Sequence, residues 1–149
     1  MIWTLLILAL IVAGWFWFEG RGDRRLFNAE PGRVCVNVHP PQAKAFLDGH
    51  QDTQVLDVRS DAEFRSGALP GAIQLSIGDP TFEQKVSKLA RERPVLVYCA
   101  GGYRSRKAAA VLKALGFTNI QHLHRGYLSW KVAGYPVTQA GAGGSPGPP

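Results

Sequence analysis

From about Arg33 to Thr138, short apolar runs alternate with stretches of helical periodicity. Arg33–His39 and Thr53–Val58 are rich in valine and leucine and predict strands, and between them Pro40-Pro41 opens a helix over Gln42–Leu47 with Gly49 beyond its end. Ser60 and Asp61 cap a brief helix through Arg65, and the turn Leu69-Pro70-Gly71-Ala72 leads into a third short strand at Ile73–Leu75. Asp79-Pro80 opens a helix whose apolar stripe is Phe82, Val86 and Leu89. The run Pro94–Cys99 is the next strand. It is followed by two adjacent glycines, a helix from about Arg104 to Leu115 stopped by Gly116, a strand at Ile120–Leu123 and a last short helix over Tyr127–Val132. Repeated β-then-α units predict an α/β fold with a mostly parallel central sheet flanked by helices on both faces. In such sheets the reactive loop lies beyond the carboxyl end of a central strand.

The ends of the chain carry different patterns. Ile2–Phe18 is apolar throughout except for Thr4 and Gly14, and as a helix it spans about 25 Å against roughly 30 Å of bilayer hydrocarbon. Trp3 at one end and Trp15 and Trp17 at the other suit the two membrane interfaces, so residues 1–18 are expected to form one transmembrane helix preceding the domain. Positive charge lies only after the run, at Arg21, Arg24 and Arg25, which puts the rest of the chain in the cytoplasm. A cleaved signal peptide is the competing reading, but no basic residue precedes the run. Residues 19–32 are charged and aperiodic, a juxtamembrane linker; residues 139–149, ending in GAGGSPGPP, have nothing to bury and are expected to be a disordered tail.

Charge sharpens this outline. All 11 acidic residues lie at or before Glu92 and are matched by 11 basic residues up to Arg93, so the six bases that follow, Arg104, Arg106, Lys107, Lys113, Arg125 and Lys131, supply the whole net charge of +6. That half of the chain is suited to small anions. No basic stripe interleaved with aromatics is present, so nucleic acid is not an expected partner. Two cysteines, Cys35 and Cys99, in a domain large enough to fold without staples favour reduced thiols, though sequence leaves a disulfide between them open.

The chemistry concentrates after Cys99. A tight loop followed by a helix presents backbone N–H groups to its own centre, with positive partial charge from the helix start. A cysteine at its mouth, with Arg104, Arg106 and Lys107 near in sequence, is expected to ionise readily. The amides of Ala100, Gly101, Gly102, Tyr103 and Ser105 form the candidate binding loop, with Gly101 and Gly102 expected to curl it through positive φ. Arg104 either holds an anionic donor or locks the loop, and Tyr103 lines the rim. Asp57 and Arg59 are expected to support the loop from a neighbouring strand, Arg59 paired with Glu63 at helical spacing. Cys35 reads as packing. His122 and His124 share one face of a strand, but without further ligands at suitable spacing they too read as packing rather than a metal site.

These residues resemble a known family. Leu56-Asp57-Val58-Arg59 with Glu63-Phe64, then Gly67-x-x-Pro70-Gly71-Ala72, Cys99-x-x-Gly102-x-Arg104-Ser105, Gly116-Phe117, and Gly126 with Trp130 together resemble a single rhodanese domain over residues 33–138. The resemblance implies a rhodanese-like α/β sulfurtransferase. Its Cys99 would take a sulfane sulfur from a small anionic donor such as thiosulfate, become a persulfide, and pass the sulfur to a thiol or cyanide-like acceptor, with a protein acceptor left open. It implies neither a metal nor an organic cofactor. Three departures stand out: Arg125 where a second glycine is common, Ala68 where histidine is usual, and Gly101 where a small hydroxyl residue often sits. Two alternatives come from other classes. Cysteine phosphatases use a similar loop but place five residues between Cys and Arg, where Cys99 and Arg104 enclose four; a membrane-tethered, non-catalytic binding module is the other.

Overall fold

The computed structural model describes residues 34–139 and, nearer the start, residues 6, 7, 10–12, 14, 26 and 27. The chain divides into two compact units, Met1–Arg33 and Val34–Pro149. In the second unit the elements run β1 (Cys35–Val38), α1 (Pro40–Gly49), β2 (Gln54–Asp57), α2 (Asp61–Arg65), β3 (Ile73–Gln74), α3 (Phe82–Val86), β4 (Val95–Tyr98), α4 (Tyr103–Ala114), β5 (Ile120–Leu123) and α5 (Gly126–Val132). The strands form one sheet in the order β1-β5-β4-β2-β3, every pairing parallel.

Side-chain alternation explains why helices cover both faces. Along β4, Leu96 and Tyr98 join Val38, Ala43, Val55, Leu69, Leu123 and Trp130 in one apolar cluster that includes α1 and α5. On the opposite face lie Val95, Val97, Ile120 and His122, and α4 brings Ser105 against His122 there. Because both faces are covered, β2, β4 and β5 are buried at every position. The helix starts follow from local chemistry. Pro40 and Pro41 occupy the first turn of α1, and Ser60 caps α2 by accepting from the Glu63 amide while the Glu63 carboxylate accepts from the Ser60 amide.

The central strand β4 lies between β5 and β2, and its carboxyl end delivers the chain to Cys99. That is the crevice where open parallel sheets bind ligands. In the first unit, the described residues between 6 and 14 are helical, with Leu6, Ile7, Leu10, Ile11 and Val12 exposed. Among the described residues no helix is long and apolar enough to cross a membrane. The expected transmembrane helix is thus not supported, and most of residues 1–18, most of the linker and nearly all of the tail lie outside the described residues.

Candidate active site

Cys99 follows β4 directly and is a free thiol, only 1% exposed. The expectation of an exposed sulfur at a loop mouth is corrected to this extent: the sulfur is covered. Its cover is polar, however. The Gly102 amide donates to Sγ at 3.1 Å, and the Ser105 hydroxyl lies 3.4 Å from Sγ. Gly102 alone of the loop glycines takes a positive φ, 96°, and a Cβ there would come within 3.2 Å of the Arg125 amide nitrogen. Gly101 has an ordinary φ and open space around it, so the curl depends on one glycine rather than two.

What aims the Gly102 amide inward is the disposal of the loop's carbonyls on the other side. Cys99 O accepts from the Tyr127 amide at 2.7 Å and Ala100 O from the Leu128 amide at 3.1 Å, both in the first turn of α5. The approach is so close that a Cβ on Gly126 would sit 2.1 Å from Cys99 O. Arg125, where a second glycine is common in the resembled family, holds φ at 54°, the one non-glycine residue with positive φ among those described.

Arg104 lies in the first turn of α4 and is half-buried. Its guanidinium pairs with Glu63 through two hydrogen bonds, 2.8 and 2.6 Å. These bonds, together with those from Ser60 and against the cost of burial, pull the Glu63 carboxyl down to about 2. Arg104 is held above its ordinary value chiefly by Glu63, with Cys99 contributing a smaller attraction. The pairing expected between Arg59 and Glu63 does not form. Arg59 precedes the cap of α2, so helical spacing does not apply to it; instead it binds Asp57 at 2.6–3.0 Å and the Gly67 carbonyl at 2.6 Å. Asp57 and Arg59 are 0% and 2% exposed, and the guanidinium lies 4.2 Å from the ring centroid of Tyr127. Together they join the end of β2 to the element that clamps the Cys99 loop.

The remaining expected residues are placed as follows. Tyr103 is 62% exposed with Lys107 Nζ 5.2 Å from its ring centroid, Gly101 is exposed, and Ala100 is intermediate. Cys35 is buried on the edge strand, its thiol pushed up to about 12 by burial, in keeping with packing. Among the described residues no three His, Cys, Asp or Glu groups converge as metal ligands. Sequence reasoning missed two participants: Glu63 as the partner of Arg104, and His122, whose Nε2 lies 2.9 Å from Ser105 Oγ. Glu63 was within reach of charge complementarity. His122 was not, because only the parallel pairing of β4 with β5 places it behind the loop.

A parallel α/β sheet whose central strand ends in a cysteine held by a loop amide and a hydroxyl defines a class of α/β domain with its thiol at the carboxyl end of the sheet. The rhodanese-like domain family matches residues 39–133, and the chain belongs to that family. It is 31% identical over 87 residues to a protein of Allochromatium vinosum named sulfurtransferase, covering 58% of this chain and 79% of that one. It is 32% identical over 103 residues to a tRNA uridine(34) hydroxylase of Cytophaga hutchinsonii, covering 67% of this chain but only 33% of that protein. Among solved structures, a rhodanese-related protein of Thermoplasma volcanium superposes with a TM-score of 0.62 at 29% identity, covering 70% of this chain and 98% of that one.

Proposed function

We propose that this protein is a sulfurtransferase that moves a sulfane sulfur through a persulfide on Cys99. The observation that carries the reading is the hydrogen bond from the Gly102 amide to Sγ, with the Ser105 hydroxyl beside it. These donors stabilise negative charge on sulfur, which both the thiolate and the persulfide bear. With thiosulfate, Sγ attacks the outer sulfur, the S–S bond breaks, and sulfite leaves with its electron pair. A nucleophilic acceptor such as cyanide or a thiol then attacks the persulfide's outer sulfur, and the Cys99 thiolate departs. No metal or organic cofactor enters either step.

Arg104 is the group for an anionic donor, and binding requires that it share its charge with Glu63. The short loop favours this reading over phosphoryl transfer, because Cys99 and Arg104 enclose four residues where cysteine phosphatases place five around the phosphate. The covered sulfur favours small donors. We extend the proposal to placement: residues 1–18 tether the domain to a membrane with the domain on the cytoplasmic side, on the strength of the apolar run, its flanking tryptophans and the arginines that follow. The catalytic reading is tested by thiocyanate formation from thiosulfate and cyanide. Activity in the wild type and none in Cys99→Ser supports it; equal activity in both, or none in either, overturns it.

A further inference from the structure

A buried polar chain runs from Cys99 to the edge of the sheet, and the transfer described above makes no use of most of it. Ser105 Oγ lies 3.4 Å from Cys99 Sγ and 2.9 Å from His122 Nε2. His122 Nδ1 lies 2.8 Å from Asn37 Oδ1, and Asn37 Nδ2 lies 3.3 Å from His124 Nδ1. Backbone register builds the chain: Asn37 on β1 and Val97 on β4 are the direct neighbours of His122 on β5, so α4 drops Ser105 onto a ring already aligned by Asn37. Ser105 and His122 are both 0% exposed, whereas His124 is half-buried.

A ring kept only for packing has no need of oxygen acceptors at both nitrogens. His122 has them. Asn37 Oδ1 faces Nδ1, and at Nε2 the Gly102 carbonyl at 3.2 Å joins the Ser105 hydroxyl. With Asn37 Oδ1 accepting from Nδ1–H, the neutral ring offers a lone pair at Nε2 to the Ser105 hydroxyl; after gaining a proton, both N–H groups still have acceptors.

We infer that His122 is a positioning residue that takes the Cys99 thiol proton through the Ser105 hydroxyl, so that the thiolate forms together with a buried imidazolium. This rests on Cys99 being the sulfur-accepting nucleophile. In the step, the S–H bond breaks and its proton passes to Ser105 Oγ, while the original Oγ–H bond breaks and that proton passes to Nε2. The electron pair stays on Sγ. The hydroxyl is restored and turns its new O–H toward the sulfur, joining the Gly102 amide. Burial, opposed by the Gly102 carbonyl and reinforced by Arg106 and His124, lowers the His122 pKa to about 4, so the ring is neutral at neutral pH and holds the proton only while the thiolate stands beside it. The charges around it come from several elements. Arg106 on α4 and His124 beyond β5 oppose an imidazolium; His39 packs its ring 4.7 Å from that of His124; Arg104 is neutralised by Glu63. The Gly102 carbonyl favours the protonated ring, and so does the thiolate, which ties the two titrations together.

The test is the pH dependence of Cys99 alkylation by iodoacetamide in the folded full chain, compared for wild type, His122→Gln, Ser105→Ala and the double variant. Glutamine can hydrogen-bond to Ser105 but accepts no proton. The expected result is that each single change slows alkylation near neutral pH about tenfold and moves the profile about one unit higher, with the double variant no slower than either single one. Coincident profiles for wild type and His122→Gln, or additive losses, overturn the inference. Should a variant fail to fold, the His122 ring resonances of the wild type and Cys99→Ser give the same answer: His122 titrates at higher pH when the thiol is present, and equal titration refutes the relay. Failure of the sulfurtransferase reading looks different, since the profiles would still differ while thiosulfate added no sulfur to the wild type.

Discussion

At the residue scale the site depends on two close approaches that no larger side chain tolerates. Gly126 lets the first turn of α5 reach the Cys99 and Ala100 carbonyls, and a Cβ there would lie 2.1 Å from Cys99 O. Gly126→Ala is therefore expected to destabilise the domain by about 2–4 kcal/mol and to disturb Cys99 alkylation, read from urea denaturation and reaction with iodoacetamide. Arg125→Gly tests the converse: a non-glycine residue in the left-handed region costs roughly 1–2 kcal/mol, so the substitution is expected to raise stability, by up to about 1 kcal/mol after the added chain entropy of glycine. Cys99 and the loop were legible from the sequence because strand, glycine and helix-forming residues follow one another without a gap. The hydroxyl contact to His122 was not. It is a product of tertiary pairing between strands more than 20 residues apart, and no local pattern announces it.

At the element scale, the Arg104–Glu63 pair ties α4 to α2, and the Asp57–Arg59 pair ties the end of β2 to the loop at Gly67. The order of strands and helices was readable because β4 is a continuous apolar run, β2 is centred on Val55-Leu56, and α1 and α2 carry their own start signals. Ion-pair partners were less so: spacing suggested Arg59 with Glu63, but only the observed start of α2 at Asp61 shows that the two are not on one helix. The Glu63 carboxyl is lowered from 4.5 to about 2 in the folded state, so its contribution to stability is present above pH 4.5 and is lost as pH falls from 4.5 through about 2. Glu63→Gln is expected to flatten denaturation midpoints over that window; a variant with the wild-type acid profile would contradict the pair's importance. The same substitution releases Arg104, so the KM for thiosulfate is expected to fall by about threefold or more. Arg104→Ala is expected to raise it.

At the scale of the whole molecule, five parallel strands among the described residues carry a cysteine loop at the end of the central one, and that loop belongs to the positively charged second half of the sequence. The tether proposed for residues 1–18 is a separate matter, checked by protease accessibility in sealed vesicles. Digestion of the domain only after the vesicles are opened on the cytoplasmic side fits the tether, and digestion only from the external face contradicts it. The proposed transfer places a sulfane sulfur on Cys99. Its most direct measurement is the intact mass of the purified chain after incubation with thiosulfate, followed by peptide mapping. One added sulfur is expected, located on the peptide containing Cys99, removed by cyanide and missing in Cys99→Ser. An unchanged mass, or a sulfur found on Cys35 instead, would contradict it.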